Sequence, residues 1–373
     1  MAFRSGFVSI LGRPNAGKST LLNRMVGMKV AIVSDKPQTT RQTLQGVANR
    51  QVGDDRAQII FLDTPGIHKG GSKMNRMMMD EVQEALQDRD LLLLVVDAAA
   101  PFGPGDAYAL DMVKAVKTPT FLVLNKVDML ARIELLPMLD RYSKMHDFAE
   151  LVPVSARTGD NVEHLVETIV RRLPEGPEYF PKGHVTDLPA RFLAAEIIRE
   201  KAILMTHQEL PYSTAVIVDQ YEKRNGVLRL HALVFVEKEG QKGILIGARG
   251  ERLKAVATRA REEIEKVFST RVYLEVFVKV RANWRESSRF LEGLDWRKMV
   301  GGEDQASPAT SDFDSQAVTS ERGFGSHARS SESGLDSTAR SSESGLDSTA
   351  RSSESGLDST KDETHPESSG EDL

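Results

Sequence analysis

Short, nearly unbroken apolar runs alternate with polar or amphipathic stretches along the first half of the chain. Phe7–Leu11, Gln58–Leu62, Leu91–Val96, Thr120–Leu124 and Leu151–Val154 are each four to six residues long. Runs of this length and density predict strands buried on both faces, and hence a mostly parallel sheet covered by helices on its two sides. Helical stretches fall between them: one starting near Lys18 and carrying Leu21 to Met25, an amphipathic one containing Met77 to Met79, and Val162–Arg172. The pattern breaks at Leu173–Val185, where three prolines and two glycines end the last of these helices and predict a linker. A second, different order follows: an amphipathic helix over Phe192–Met205, strands over Ala215–Tyr221 and Val227–Glu237, two helices meeting near Gly247, and a strand over Val272–Val280.

Composition changes the picture mainly at the C-terminus. The formal net charge of −5 averages three unlike regions. Residues 1–184 carry 23 basic and 22 acidic side chains, residues 185–300 carry 21 and 16, and residues 301–373 carry 5 and 16. The body is therefore mildly basic and one acidic tail sets the sign. In that tail the unit Ala328–Thr338 recurs as Ala339–Thr349 and Ala350–Thr360. Each unit holds one leucine among serine, glycine and charge, so the tail is expected to be disordered. The resulting division is a first domain over 1–172, a linker over 173–185, a second domain over 186–298 and a tail over 299–373. The 373 residues contain no cysteine, which excludes disulfides and thiolate metal sites and fits a reducing compartment. No run of 18 apolar residues predicts a membrane span, and the N-terminus leads into the first strand without a signal-peptide pattern.

The first apolar run ends in Gly12-Arg13-Pro14-Asn15-Ala16-Gly17-Lys18-Ser19, which fits the phosphate-binding pattern G-x-x-x-x-G-K-[ST] between a strand and a helix. Its glycines let backbone N–H groups of Asn15, Ala16 and Gly17 turn toward phosphate oxygens, with Ser19 and Thr20 following. Lys18 is expected at the β/γ-phosphates and the Ser19 hydroxyl on Mg²⁺. The base is chosen by Asn125-Lys126-Val127-Asp128. Guanine presents a ring N–H and an exocyclic amine on one edge, and the Asp128 carboxylate can accept both. Asn125 is expected to hold the loop, the Lys126 stem to cover the ring, and Ser155-Ala156 to meet the guanine carbonyl. Asp63-Thr64-Pro65-Gly66 completes the set, with Asp63 on Mg²⁺ through water and the Gly66 N–H at the γ-phosphate. Thr40, favoured over Thr39, lies in a polar segment and is expected to ligate Mg²⁺ and to sense the γ-phosphate. Five elements in this order predict a P-loop GTPase, with Lys18, Thr40 and Gly66 as the groups acting on the transferred phosphate.

In the second domain, the order helix, two strands, two helices around Gly247-Ala248-Arg249-Gly250, and strand is that of an α+β type II KH fold. The two glycines allow close approach of a nucleic acid backbone, and helix N-terminal N–H groups then face phosphate. Ile244, Ile246 and Leu253 are expected to line a groove for unstacked bases. Lys242, Arg249, Arg252 and Lys254 supply a cationic rim, with Gly243 and Ala248 in the same surface.

The motifs GRPNAGKST, Gln38–Arg41, DTPG, NKVD and Ser155-Ala156, followed by Gly247-x-x-Gly250, resemble the Era family of bacterial ribosome-associated GTPases. Glu209–Ser213 and Val278–Arg285 also resemble that family, so the likeness spans about residues 5–298 and omits the tail. The resemblance implies GTP/GDP and Mg²⁺ as ligands and binding near the 3′ end of small-subunit ribosomal RNA. It further implies a role in 30S subunit assembly and a loose peripheral fraction at the inner membrane surface; the protein is expected to be monomeric and cytoplasmic.

Many GTPases orient the attacking water with a glutamine just after the DxxG glycine. Ile67 stands there, so slow intrinsic turnover is expected. Asn15 either only shapes the loop or ligates a K⁺ ion that supplies the missing positive charge. Two other functional readings compete with an RNA-directed switch: an RNA-binding scaffold with a merely structural nucleotide site, and a membrane or cell-cycle signalling GTPase.

Overall fold

The computed structural model describes residues 3–67, 71–206 and 210–299. The repeats over 328–360, Glu209, and His68 beside Ile67 lie outside the described residues. In the first part of the chain the order is β1 (Phe3–Leu11), α1 (Lys18–Val26), β2 (Leu44–Val52), β3 (Asp55–Asp63), α2 (Lys73–Glu84), β4 (Leu91–Asp97), α3 (Pro104–Lys114), β5 (Thr120–Asn125), α4 (Arg132–Ser143), β6 (Glu150–Val154) and α5 (Val162–Arg172). The strands form one sheet in the order β2-β3-β1-β4-β5-β6, parallel except for the β2–β3 hairpin. Every residue of β4 and β5 is buried, as apolar runs flanked on both sides require. One face packs Leu21, Leu22 and Met25 of α1 and Leu165, Val166 and Ile169 of α5 against β1 and β3. The other packs Val82 of α2 and Ala109, Leu110 and Val113 of α3 against β4 and β5. Because the chain reverses its winding direction between β3 and β4, the loops after β1, β3 and β5 gather at one edge, where a crevice opens.

The stretch after α5 lies against this sheet. Gln58 of β3 accepts the N–H groups of Tyr179 and Phe180 at 2.8 and 2.9 Å and donates to the Phe180 carbonyl at 2.9 Å. The Val47 N–H donates to the Val185 carbonyl at 2.7 Å.

Then come α6 (Ala190–Leu204), a single turn α7 (Leu210–Ser213), β7 (Ala215–Arg224), β8 (Val227–Val236), α8 (Glu239–Ile246), α9 (Glu251–Phe268) and β9 (Arg271–Val280). The sheet runs β7-β8-β9, antiparallel then parallel. Its inner face, with Val216, Leu230, Val234 and Val272, packs on Ile197 and Ile198 of α6 and on Val256, Ala260 and Ile264 of α9. Helix α6 differs from its expected amphipathic character. Arg199 and Glu200 are buried along with its apolar residues, because the helix is wedged between the second sheet and the first domain. A final segment carries short 3₁₀ turns at Trp284–Glu286 and Trp296–Lys298 around α10 (Ser288–Gly293). Its Trp284, Phe290 and Leu291 join Met74 and Met78 of α2 over the outer face of the second sheet, at Ala215, Ile217, Leu233 and Phe235. Among the described residues no helix is long and apolar enough to cross a membrane.

Candidate functional site

The loop after β1 is built so that only glycine fits at its two ends. Gly12 has φ +147°, and a Cβ there would fall 2.3 Å from the Val95 carbonyl oxygen. Gly17 has φ +96°, and its Cβ would fall 2.1 Å from Nδ2 of Asn125. That asparagine is the hinge of the crevice. Its Nδ2 donates to the Ala16 carbonyl at 2.8 Å, and its Oδ1 accepts the Ala156 N–H at 2.9 Å. One side chain thus ties together the loops after β1, β5 and β6.

Lys18 opens α1 and is buried, its Nζ donating to the carbonyls of Gly12 and Arg13 at 3.0 and 3.1 Å. Beside it, Ser19 Oγ donates to Asp63 Oδ2 at 2.6 Å and lies 2.8 Å from Thr40 Oγ1, which is 3.4 Å from the same carboxylate. Burial pushes the Lys18 ammonium down to about 8, against the opposing pull of Asp63. Burial likewise pushes Asp63 up to about 6, partly offset by Lys18 and by the two hydroxyls. Both shifts come mainly from burial. Asp63 Oδ1 is buried without a hydrogen-bond partner, a vacant acceptor that suits a hydrated divalent cation. The one-carboxylate, two-hydroxyl set fits Mg²⁺, which is held by few protein ligands together with phosphate oxygens and water.

Ser19, Thr20, Thr39, Thr40, Asn15 and Gly66 line the same cleft. Asn15 Nδ2 donates to the Asp35 carbonyl at 2.5 Å, joining the phosphate loop to the segment that carries Thr40. Thr64 and Pro65, expected beside the nucleotide, are buried. The Thr64 hydroxyl donates to the Ile10 carbonyl at 2.8 Å. Ile67 is buried in the core and its N–H donates to the Gly12 carbonyl at 3.2 Å, so it presents nothing to water.

At the base end, Asp128 Oδ1 accepts from Ser155 Oγ at 2.6 Å and Oδ2 from Arg157 at 2.5 Å. The Ser155 hydroxyl, with Arg157 beside it, holds Asp128 below the usual carboxylate range, keeping it an acceptor. Lys126 Nζ is fixed on Asp97 Oδ2 at 2.7 Å, and Arg13 approaches the same oxygen at 3.7 Å. Sequence alone assigns Asp97 no chemistry. Its position at the end of β4, level with Asn125 in the sheet register, is the signal that locates it here.

The second candidate surface is the α8–α9 turn. Gly247 has φ +74° and Gly250 φ +80°, with Arg249 between them also at positive φ. Ile244 is 49% exposed, and Ile246 and Leu253 are half-buried at the same turn. Gly243, Ala248, Arg249 and Lys254 line the same turn, and Lys242 is half-buried with Glu239 at 3.9 Å. The Arg252 guanidinium, expected on the rim, donates to the Ile244 carbonyl at the end of α8.

A glycine-walled loop at a helix N-terminus, an oxygen cluster that fits Mg²⁺ and the Asp128 carboxylate at the far end of the crevice, joined to a Gly-x-x-Gly turn on a second sheet, have the layout of a P-loop GTPase with a KH domain. Family models agree: "50S ribosome-binding GTPase" matches residues 7–126 and "KH domain" matches residues 209–285. The GTPase Era of Syntrophus aciditrophicus (strain SB) is 50% identical over 299 residues, covering 79% of this chain and 96% of that protein. The GTPase Era of Geobacter sp. (strain M21) is 49% identical over 291 residues, covering 78% and 97%. The crystal structure of a point variant of Aquifex aeolicus Era bound to GDP·AlF4⁻ aligns with TM-score 0.74 and 39% identity, over 78% of this chain and 98% of that one. A structure of Era with MgGDPNP and nucleotides 1506–1542 of 16S ribosomal RNA aligns with the same score, identity and coverage. The chain belongs to the Era family of GTPases.

Proposed function

We propose that this chain is a GTP-hydrolysing switch that binds small-subunit ribosomal RNA near its 3′ end and acts in assembly of the 30S subunit. The observation that carries the switch is the convergence of Ser19, Thr40 and Asp63 beside the buried Lys18. Thr40 belongs to a connecting segment, so a metal-bound triphosphate adds a ligand to that segment that a diphosphate does not. Mg²⁺, held by Ser19 and Thr40 and through water by Asp63, would neutralise charge on the β- and γ-phosphates. Lys18 sits where its ammonium meets the same oxygens, Gly66 lines the cleft, and Asp128 selects guanine. The RNA reading draws support from Ile244, Arg249 and Lys254 around the glycine turn, and from the related Era that was crystallised with 16S ribosomal RNA. Asn15 is proposed as a K⁺ ligand, adding positive charge to that of Lys18. Location in the cytoplasm accompanies this role, and a peripheral fraction at the membrane surface rests on the family likeness alone.

Two substitutions test the two halves separately. Lys18→Ala is expected to lower GTP affinity at least about 100-fold by removing a buried charge-assisted contact, measured by titration calorimetry. Gly250→Asp is expected to abolish binding of a short single-stranded 3′-terminal ribosomal RNA through repulsion at phosphate, measured by filter binding, with GTP affinity intact. Normal 30S maturation with Lys18→Ala would favour the scaffold reading. Unchanged RNA affinity in Gly250→Asp would remove the KH assignment.

A further inference from the structure

The segment that carries Thr40 is held from outside the first domain. The Arg199 guanidinium of α6 donates through Nη2 to the Thr39 carbonyl. Arg41 donates to the carbonyls of Thr214 at 2.9 Å and Tyr212 at 3.3 Å and lies over the Trp284 ring. Gln42 Nε2 donates to the Leu294 carbonyl at 2.7 Å, and the Trp296 indole donates to the Thr43 carbonyl at 3.3 Å. Between these outward ties, the Thr40 hydroxyl turns inward, to Ser19 and Asp63.

Arg199 is placed against its own stability. It is 2% exposed and its Nε and Nη2 are oriented by Glu196 at 2.7 and 2.6 Å, yet its Nη1 is buried without a hydrogen-bond partner. A second cation, Arg41, lines the same cavity as Arg199. An apolar side chain of similar volume would avoid both penalties. What the guanidinium provides instead is a rigid fork, locked on Glu196 and directed at one backbone oxygen next to the metal-facing threonine.

We propose that Arg199 is a positioning residue for the nucleotide site: from the second domain it fixes the Thr39 carbonyl and so presents the Thr40 hydroxyl to the metal-bound triphosphate. The inference rests on the GTPase reading above and goes beyond it, because it assigns a residue outside the nucleotide-binding domain to the metal site. Linkage makes the effect reciprocal. Whatever moves α6, RNA on the second domain included, changes triphosphate affinity, and triphosphate in turn stabilises the present seating of α6.

The test measures release of a fluorescent non-hydrolysable GTP analogue from the full chain, in Mg²⁺ and in EDTA. Arg199→Gln is expected to release it about tenfold faster in Mg²⁺, the scale of one charge-assisted hydrogen bond, and at the parental rate in EDTA, where Thr40 has no metal to meet. Arg199→Lys restores part of the slow release, because it keeps the charge without the fork. Should Arg199→Gln unfold, as circular dichroism would reveal, Glu196→Gln tests the same geometry with a smaller change of the same sign. Parental release in Mg²⁺, or equal acceleration in both buffers, would overturn the proposal in favour of a structural arginine. A parent chain that binds no guanine nucleotide in Mg²⁺ would overturn the underlying GTPase reading, and the inference with it.

Discussion

Two glycine turns precede helices in this molecule, each proposed to meet phosphate, and they differ in how closely they are walled. In the turn before α1, a Cβ at Gly12 or Gly17 would collide with the Val95 carbonyl or the Asn125 amide. In the turn before α9, a Cβ at Gly247 would press on Arg252 Cβ at 2.8 Å, but one at Gly250 would meet nothing within 4 Å. The first turn is walled in by Lys18, Asn125 and Ala156. The second stands in solvent beside an exposed Ile244 and Arg249. A small ligand of fixed shape can be met by a rigid, dry cradle whose donors are aimed in advance. A polymer strand has to be laid in from outside, so its turn stays open and relies on charge and apolar surface. Glycine therefore answers to steric exclusion at Gly12, Gly17 and Gly247, whereas at Gly250 it leaves the surface open.

The sharpest test of that contrast is paired substitution to alanine. Gly17→Ala is expected to cost about 2–5 kcal/mol, from a left-handed Cβ plus a backbone-level clash, and to remove nucleotide binding. Gly250→Ala is expected to cost only about 1–2 kcal/mol from its backbone conformation, with GTP affinity unchanged. Chemical denaturation followed by nucleotide titration reads both, and equal losses would erase the distinction. A smaller effect concerns Asp128, proposed to read guanine. Ser155 and Arg157 hold Asp128 below its unfolded value of about 3.9, so its contribution is complete above that value and fades as pH falls through the depressed one. Asp128→Asn should flatten that acid limb of the stability–pH curve, whereas Lys254→Gln at the open turn should leave it in place. The smallest expected change is ionic. If Asn15 ligates K⁺, GTP turnover in K⁺ exceeds that in Na⁺ at equal ionic strength; equal rates would leave Asn15 only its bond to Asp35.

Much of the first domain was legible because its information is local. Fully buried parallel strands write themselves as apolar runs, and the phosphate loop, DTPG and NKVD are contiguous words at strand ends. Boundaries shifted by a few residues where polar ends still pair, as at Phe3–Ser5 in β1 and Asp55–Arg56 in β3. The wiring between those words was not legible. Lys126 finds Asp97 across two strands, and Asn125 finds Ala16 from 109 residues away. Arg199 in α6 reads as the polar position of an amphipathic helix, and only the fold shows that position facing Thr39 instead of water. The segment after β9 has no periodicity to announce it, because Trp284 sits in a short 3₁₀ turn and Phe290 in the six-residue α10.

The sequence contains two tryptophans, and both sit on this seam. Trp284 lies under the Arg41 guanidinium with its indole nitrogen on the Ser213 carbonyl at 3.0 Å, and Trp296 holds the Thr43 carbonyl. The chain thus carries its own pair of optical probes. Unlabelled protein, excited at the indole band, reports separation of the two domains as a change in emission, so their movement can be followed in real time without attaching a dye.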